Sequence, residues 1–158
     1  MPFVPTDFDV PSTLETDAFR LRMLSTTDAE KDYEAVMSSS ERLRETFKQW
    51  GGWPRVGFTL QENLEDLKRH QGEFERREVF AYTVVSLDEK SVLGCVYINP
   101  SSLKDVDAEV FMWVREREYQ QGLDPILFQT VRDWLQSRWP FETVIYPGRE
   151  SKDCIPQA

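Results

Sequence analysis

Three kinds of side chain in this sequence could do chemistry: a carboxylate set in an apolar strand, two tryptophans in a Gly-rich loop, and a lone histidine. The carboxylate is Glu109, in the run DAEVFMWV at 107–114. As a strand, this run puts Ala108, Val110, Met112 and Val114 on one face and Asp107, Glu109, Phe111 and Trp113 on the other. Glu109 then has aromatic neighbours on its own side. A carboxylate so placed is partly desolvated, which moves its pKa toward the range useful to a general base. The same position also suits an ion pair that merely closes the sheet surface, and the residues alone leave both readings open. Trp50 and Trp53, in WGGWPRVGF, either line a pocket for an acceptor molecule or pack over neighbouring helices. His70 stands on a charged helix flank, where a solvated role is the ordinary one. One His and two distant cysteines, Cys95 and Cys154, make no metal-ligand cluster, so no metal is expected.

The elements that must hold these residues can be read from periodicity and turn chemistry. Residues 1–13 carry Pro2, Pro5 and Pro11 and are expected to form an extended arm over the domain. In 14–24, Phe19, Leu21 and Met23 alternate with Arg20 and Arg22, so one strand is expected. Thr27 with Glu30 suggests a capping box for a first helix, and Ser40 a cap for a short second one. Residues 50–58 read as a loop. Thr59 and Glu62 form a second capping box, opening a helix with Leu64, Leu67, Gln71 and Phe74 on one face. The runs FAYTVVS at 80–86 and VLGCVYI at 92–98 read as a hairpin across LDEKS. After the Glu109 strand comes a charged turn holding Gly122, a helix with a stripe of Leu127, Phe128, Val131, Trp134 and Leu135, and a last strand at 141–146. The order is strand, helix, helix, strand, strand, strand, helix, strand. This predicts one α/β domain over 14–146 with a mixed sheet, its last two strands parallel across the helix, and a tail at 147–158.

The segment 107–135 resembles the cofactor-binding core of the GNAT superfamily, the acyl-CoA-dependent N-acyltransferases. Ala108-Glu109-Val110 lies thirteen positions before Gly122, similar to the strand glutamate that serves several GNAT enzymes as general base. LETDAFRLRMLSTTDA near the start is similar to the opening of GNAT members related to the ribosomal-protein N-terminal acetyltransferases. The resemblance runs from about Leu14 to Tyr146. The family's pyrophosphate turn has Arg or Gln, two residues, Gly, one residue, then Gly or Ala, so that successive N–H groups meet phosphate at a helix N-terminus. Here Gly122 fits the central glycine, Tyr119 falls on the Arg/Gln position beside Gln120, and Asp124 takes the final small position, followed by Pro125. Asp-Pro suits an N-cap and first helical residue, and Asp124 as N-cap would set its own carboxylate on the anion site. The turn therefore departs from the family pattern. GNAT domains also continue past their fifth strand, whereas here only twelve residues follow Tyr146, so a shortened carboxyl end and an exposed sheet edge are expected.

The resemblance implies transfer of an acyl group, acetyl in the first instance, from acyl-CoA to a primary amine. It implies a pantetheine paired with backbone near Trp113 and Val114, phosphates over Tyr119, Gln120, Gln121, Gly122, Leu123 and Asp124, Glu109 as base, and Tyr146 as the nearest acid. Trp50 and Trp53 would then line the site of a small-molecule or peptide amine, with acetyl-CoA as co-substrate and no metal. The alternative is a non-catalytic GNAT-like module whose phosphate site Asp124 has closed, binding a partner or another ligand, with a homodimer through the open edge.

Composition narrows the partners. A net charge of −9 and a pI near 4.7 disfavour nucleic acid and anionic membranes. Two unpaired cysteine positions suit a reduced compartment, and the amino terminus lacks a basic segment followed by an apolar one, so a cytoplasmic location is expected.

Overall fold

The computed structural model describes residues 2–149. Cys154 and most of the expected tail lie outside the described residues. Six strands form one sheet in sequential order: β1 (Thr13–Glu15), β2 (Arg20–Met23), β3 (Phe80–Val85), β4 (Val92–Pro100), β5 (Ala108–Val114) and β6 (Val144–Ile145). Neighbours are antiparallel except β5 and β6, which run parallel. The helices are α1 (Ala29–Ser38), α2 (Ser40–Thr46), α3 (Leu60–Glu75), α4 (Glu116–Gln120) and α5 (Leu123–Arg138).

The period-2 alternation on β5 divides the core in two. Ala108, Val110, Met112 and Val114 pack with Leu127, Val131, Trp134 and Leu135 of α5. Trp113, with Phe111 partly buried, packs on the other face with Ala35 and Val36 of α1, Leu43 of α2 and Leu67 of α3. Two parallel strands need a crossover connection, and α5 supplies it here. The arm at the amino end is drawn in by aromatic contacts: Val4 is buried, Phe3 stacks on Phe80 at 5.7 Å and on Phe141 at 5.2 Å, and Phe8 meets Trp139.

Several local expectations need correction. The single strand expected over 14–24 is a hairpin, β1 and β2. Thr16 makes the turn: its hydroxyl oxygen accepts from the N–H groups of Ala18 and Phe19, while its own N–H donates to Phe19 O. The first helix is capped by Ser25, which accepts from Thr27 N and opens a 3-10 turn, rather than by a Thr27–Glu30 box. Ser40 is the first residue of α2, and the hydroxyl of the preceding Ser39 instead accepts from Glu116 N at 2.7 Å. By contrast, the Thr59–Glu62 capping box forms as expected. The last strand pairs over only two residues, Ala108 with Val144 and Glu109 with Ile145. Beyond them β5 and β6 part.

Candidate active site

The divergence of β5 from β6 opens a cavity of about 350 Å³ beside Phe111, Met112 and Trp113, with Tyr119 and Asp124 at its far side and Pro147 to Arg149 along it. A helix start faces it. Gly122 adopts φ 87°, the left-handed region, and α5 begins one residue later. A Cβ at Gly122 would meet nothing within 4 Å, so the glycine is there for its backbone conformation and not for clearance. The N–H groups of Leu123 and Asp124 belong to the first turn of α5, which has no internal acceptor for them.

Asp124 does not do what an N-cap would. The helix starts earlier than the Asp-Pro pair suggests, so Asp124 and Pro125 are its second and third residues and Asp124 makes no capping bond. Its carboxylate instead takes both guanidinium arms of Arg149, at 2.7 and 3.1 Å. Arg149 also donates to the Met112 carbonyl at 3.0 Å, across the gap between the strands, and its guanidinium lies 5.3 Å from the Phe128 ring. The acid expected to repel an anion is thus neutralised by an arginine that stands in the cleft.

Polar clamps hold the strand end in place. Arg42 of α2 pairs with Glu116 at 2.7 Å, donates to the Val114 carbonyl and covers the Tyr119 ring at 4.1 Å. Arg115 pairs with Glu118 at 2.6 Å and with Glu34 of α1 at 3.1 Å, and these partners raise its pKa further. At Gly94, opposite Val114, a Cβ would sit 2.1 Å from the Trp113 carbonyl, so only glycine lets β4 lie this close to β5.

A second cavity, about 410 Å³, lies between β4, α1 and α3. Phe47, Trp50, Trp53, Tyr97 and Phe111 make its walls, and Asp32, Asn63, Asp66, His70 and Asn99 its polar lining. Phe47, Trp50 and Phe111 line both cavities. Trp50 meets Phe111 edge-on at 4.8 Å, so the two spaces share an aromatic wall. Burial pushes the Asp32 carboxyl up to about 6, against the pull of the Asn63 amide, which donates to Oδ2 at 2.9 Å. Burial likewise raises Asp66, despite Arg69 nearby, and lowers His70 to about 4, aided by the Arg69 charge. Arg69 reaches Asp66 at 3.2 Å and His70 Nε2 at 3.3 Å, and His70 Nδ1 lies 3.4 Å from the Glu73 carboxylate. Cys95 is buried beneath and Tyr97 is half-buried in the wall; desolvation raises the pKa of each, and Trp113 Nε1 donates to the Tyr97 hydroxyl at 3.0 Å.

The residues singled out from the sequence fall around these two spaces unevenly. Trp50, Trp113, Tyr119 and Asp124 line the first; Trp50 and Trp53 line the second. Val114 offers its carbonyl to Arg42, Gln120 donates to Glu116, and Gln121, Gly122 and Leu123 make the turn into α5, none of them lining either cavity. Glu109 is half-buried and accepts from the Ser101 hydroxyl at 2.6 Å. It pairs across the ladder with Asn99 and sits next to the second cavity without lining it. Tyr146 is buried on the opposite, α5 side of the sheet, with the Phe128 ring edge-on at 5.0 Å. His70, expected at a solvated flank, turns inward: its ring lies 5.2 Å from Tyr97. Asp32, Asn63 and Asp66 were not anticipated, nor was Arg149. A signal for the first existed, since Asp32 stands three and four residues before Ala35 and Val36 on the buried face of α1.

No protein-family model matches the chain, and no curated protein matches it. Solved structures do. One is a protein of Vibrio cholerae named as a ribosomal-protein-serine acetyltransferase, at 22% identity and TM-score 0.52, covering 70% of this chain and 58% of that one. Another is the ribosomal-protein-S5-alanine acetyltransferase of Vibrio fischeri, at 18% identity and TM-score 0.58, covering 80% and 67%. The third is the microcin C7 self-immunity acetyltransferase MccE, in complex with acetyl-CoA and AMP, at 12% identity and TM-score 0.62, covering 81% and 69%. The chain thus has the fold of the GNAT acetyltransferases, and spans little more than half the length of the first of these structures.

Proposed function

We propose that this protein is an acyl-CoA-dependent N-acyltransferase, with acetyl-CoA as co-substrate and a primary amine as acceptor. The observation that carries the reading is the parting of β5 and β6 after a two-residue pairing, which leaves the β5 backbone edge without a strand partner next to the start of α5, its Met112 and Val114 carbonyls held by the side chains of Arg149 and Arg42. An extended pantetheine amide can pair with that backbone as a strand would, and the α5 start, with Arg149, supplies charge for the pyrophosphate. The thioester then reaches the wall shared by the two cavities, with the acceptor arriving from the other side. The amine nitrogen attacks the thioester carbonyl carbon, the C–S bond breaks, and CoA leaves as a thiolate that takes a proton. Glu109, beside the acceptor cavity, receives the proton lost from nitrogen through an intervening water. Tyr146 lies across the sheet from that cavity, so the proton for the thiolate comes from solvent or from the protonated base.

Calorimetric titration with CoA, followed by thiol release from acetyl-CoA in the presence of amines, tests this reading. Micromolar CoA binding with amine-dependent thiol release is the expected result. Absence of CoA binding at millimolar concentration removes it. One observation favours a second reading, a GNAT scaffold without catalysis: Arg149 already occupies the Met112 carbonyl and the Asp124 carboxylate in the cleft. On that reading CoA fails to bind even when the Asp124–Arg149 pair is removed.

A further inference from the structure

The acceptor cavity holds one buried acid, Asp32, a half-buried one, Asp66, a buried acceptor atom without a partner among the described residues, and aromatic walls, and these together narrow what can enter. Asp32 is 4% exposed and Asn63 1%, so both are built into the floor and not borrowed from the surface. The Asn63 amide is used twice, on Asp32 Oδ2 and on the Ala29 carbonyl at 3.3 Å. Two buried polar atoms of the lining have no hydrogen-bond partner among the described residues, Asn99 Oδ1 on β4 and His70 Nδ1 on α3. Asp66 stands one turn from Asn63 on α3, close enough to Asp32 to raise it electrostatically. Acceptor atoms from α1, α3 and β4 therefore line one space. A guest that satisfies them must bring donors and, at neutral pH, positive charge. The single cationic side chain in the lining, Arg69, is more than half exposed and engaged with Asp66 and His70. The walls are π faces, which attract cations as well as apolar stems.

We propose that this cavity selects a small primary ammonium on an apolar or aromatic stem, its charged head on Asp32, Asp66 and the Asn99 carbonyl oxygen. The inference rests on the acyltransferase reading for what happens next, and names the class of acceptor for that site. It separates this chain from an enzyme that acetylates the terminus of a folded protein, for which an acid-lined ammonium pocket is not needed. Asp32 and Asp66 are positioning residues here; removal of the proton is the task assigned to Glu109.

The test is binding, apart from turnover. 2-Phenylethylammonium and the neutral match 2-phenylethanol are titrated calorimetrically into the whole chain, alone and with saturating CoA. The ammonium is expected to bind at least tenfold more tightly than the alcohol. Asp32→Asn should reduce that preference at least fivefold, and Asp66→Asn should reduce it less. Glu109→Gln should leave it unchanged while lowering turnover. Equal affinity for ammonium and alcohol, no binding in either condition, or an undiminished preference in Asp32→Asn each overturns the inference. So does tighter binding of a tetrapeptide with a free serine terminus at the same cavity. The CoA titration decides the transferase reading independently: ammonium binding without CoA binding keeps the box and loses the enzyme.

Discussion

Replacing Asp124 by asparagine keeps the shape of the α5 start and removes one negative charge, and the structure says what should follow. The Asp124–Arg149 pair is bidentate, and each side chain is 19% exposed, so it is neither a free surface pair nor a dry one. Exposed pairs contribute about 0.2–1 kcal/mol, and bidentate geometry in a partly shielded place raises this to about 1–2 kcal/mol. A ligand that needs Arg149 to leave the Met112 carbonyl must meet that cost before it binds. Asp124→Asn removes most of it and also removes the acid beside the phosphates. At about 1.4 kcal/mol per tenfold, CoA affinity should rise roughly tenfold. The folded state should lose about the same energy, a fall in Tm of about 3–6 °C. Arg149→Ala makes the contrast: it leaves the acid unpaired in the cleft, and CoA should bind less tightly than to the native chain. Calorimetry at one pH and ionic strength reads both. Unchanged or weaker CoA binding by Asp124→Asn, with the fold intact, refutes the idea that this pair closes the site.

Other outcomes follow from the same structure. Glu109→Gln should lower kcat by about a hundredfold, within the usual range for a general base, with CoA affinity within twofold; equal turnover removes Glu109 from the mechanism. Asp32 is raised in the folded state, so its penalty is absent below about pH 4 and complete above about pH 6. Asp32→Asn should therefore stabilise the chain at pH 7.5, by up to about 3 kcal/mol at 1.36 kcal/mol per unit, and little at pH 4, read by urea unfolding. His70 is lowered to about 4, so its contribution is intact above about pH 6.5 and is lost as pH falls toward 4; His70→Gln should shift the acid unfolding midpoint downward. Gly94→Ala places a methyl 2.1 Å from the Trp113 carbonyl and should abolish soluble folded protein, whereas Gly122→Ala, strained only by its positive φ, should cost about 1–2 kcal/mol.

What could be read in the residues was what repeats or caps. The alternation on β5 separated its two faces correctly, and the Thr59–Glu62 pair opened α3 as its chemistry requires. The β1–β2 turn escaped because Thr-Asp-Ala carries neither Gly nor Pro, and the Thr16 hydroxyl substitutes for a backbone turn. α4 escaped because EREYQ is a five-residue, mostly charged run without a clear stripe, held by Arg115 at its own N-cap and by Arg42 from α2. The candidate site was half legible. Its aromatics declared themselves by type. Its acids did not, because Asp32 and Asp66 have the composition of a solvated helix face and only their register with Val36 and Leu67 gives them away. Arg149 is beyond such reasoning, since its partners lie 25 and 37 positions away.

The partition formed by Phe47, Trp50 and Phe111 belongs to both spaces. Whatever settles on one side sets the position of these rings for whatever arrives on the other. Thermodynamic linkage makes that influence mutual: if a nucleotide thioester sharpens affinity for the amine, the amine must sharpen affinity for the thioester by the same factor. Half of Trp50 faces solvent, at 52% exposure, and its indole emission can follow both titrations. A ternary complex would then assemble as a single cooperative unit, with the partition as the place where each occupant feels the other.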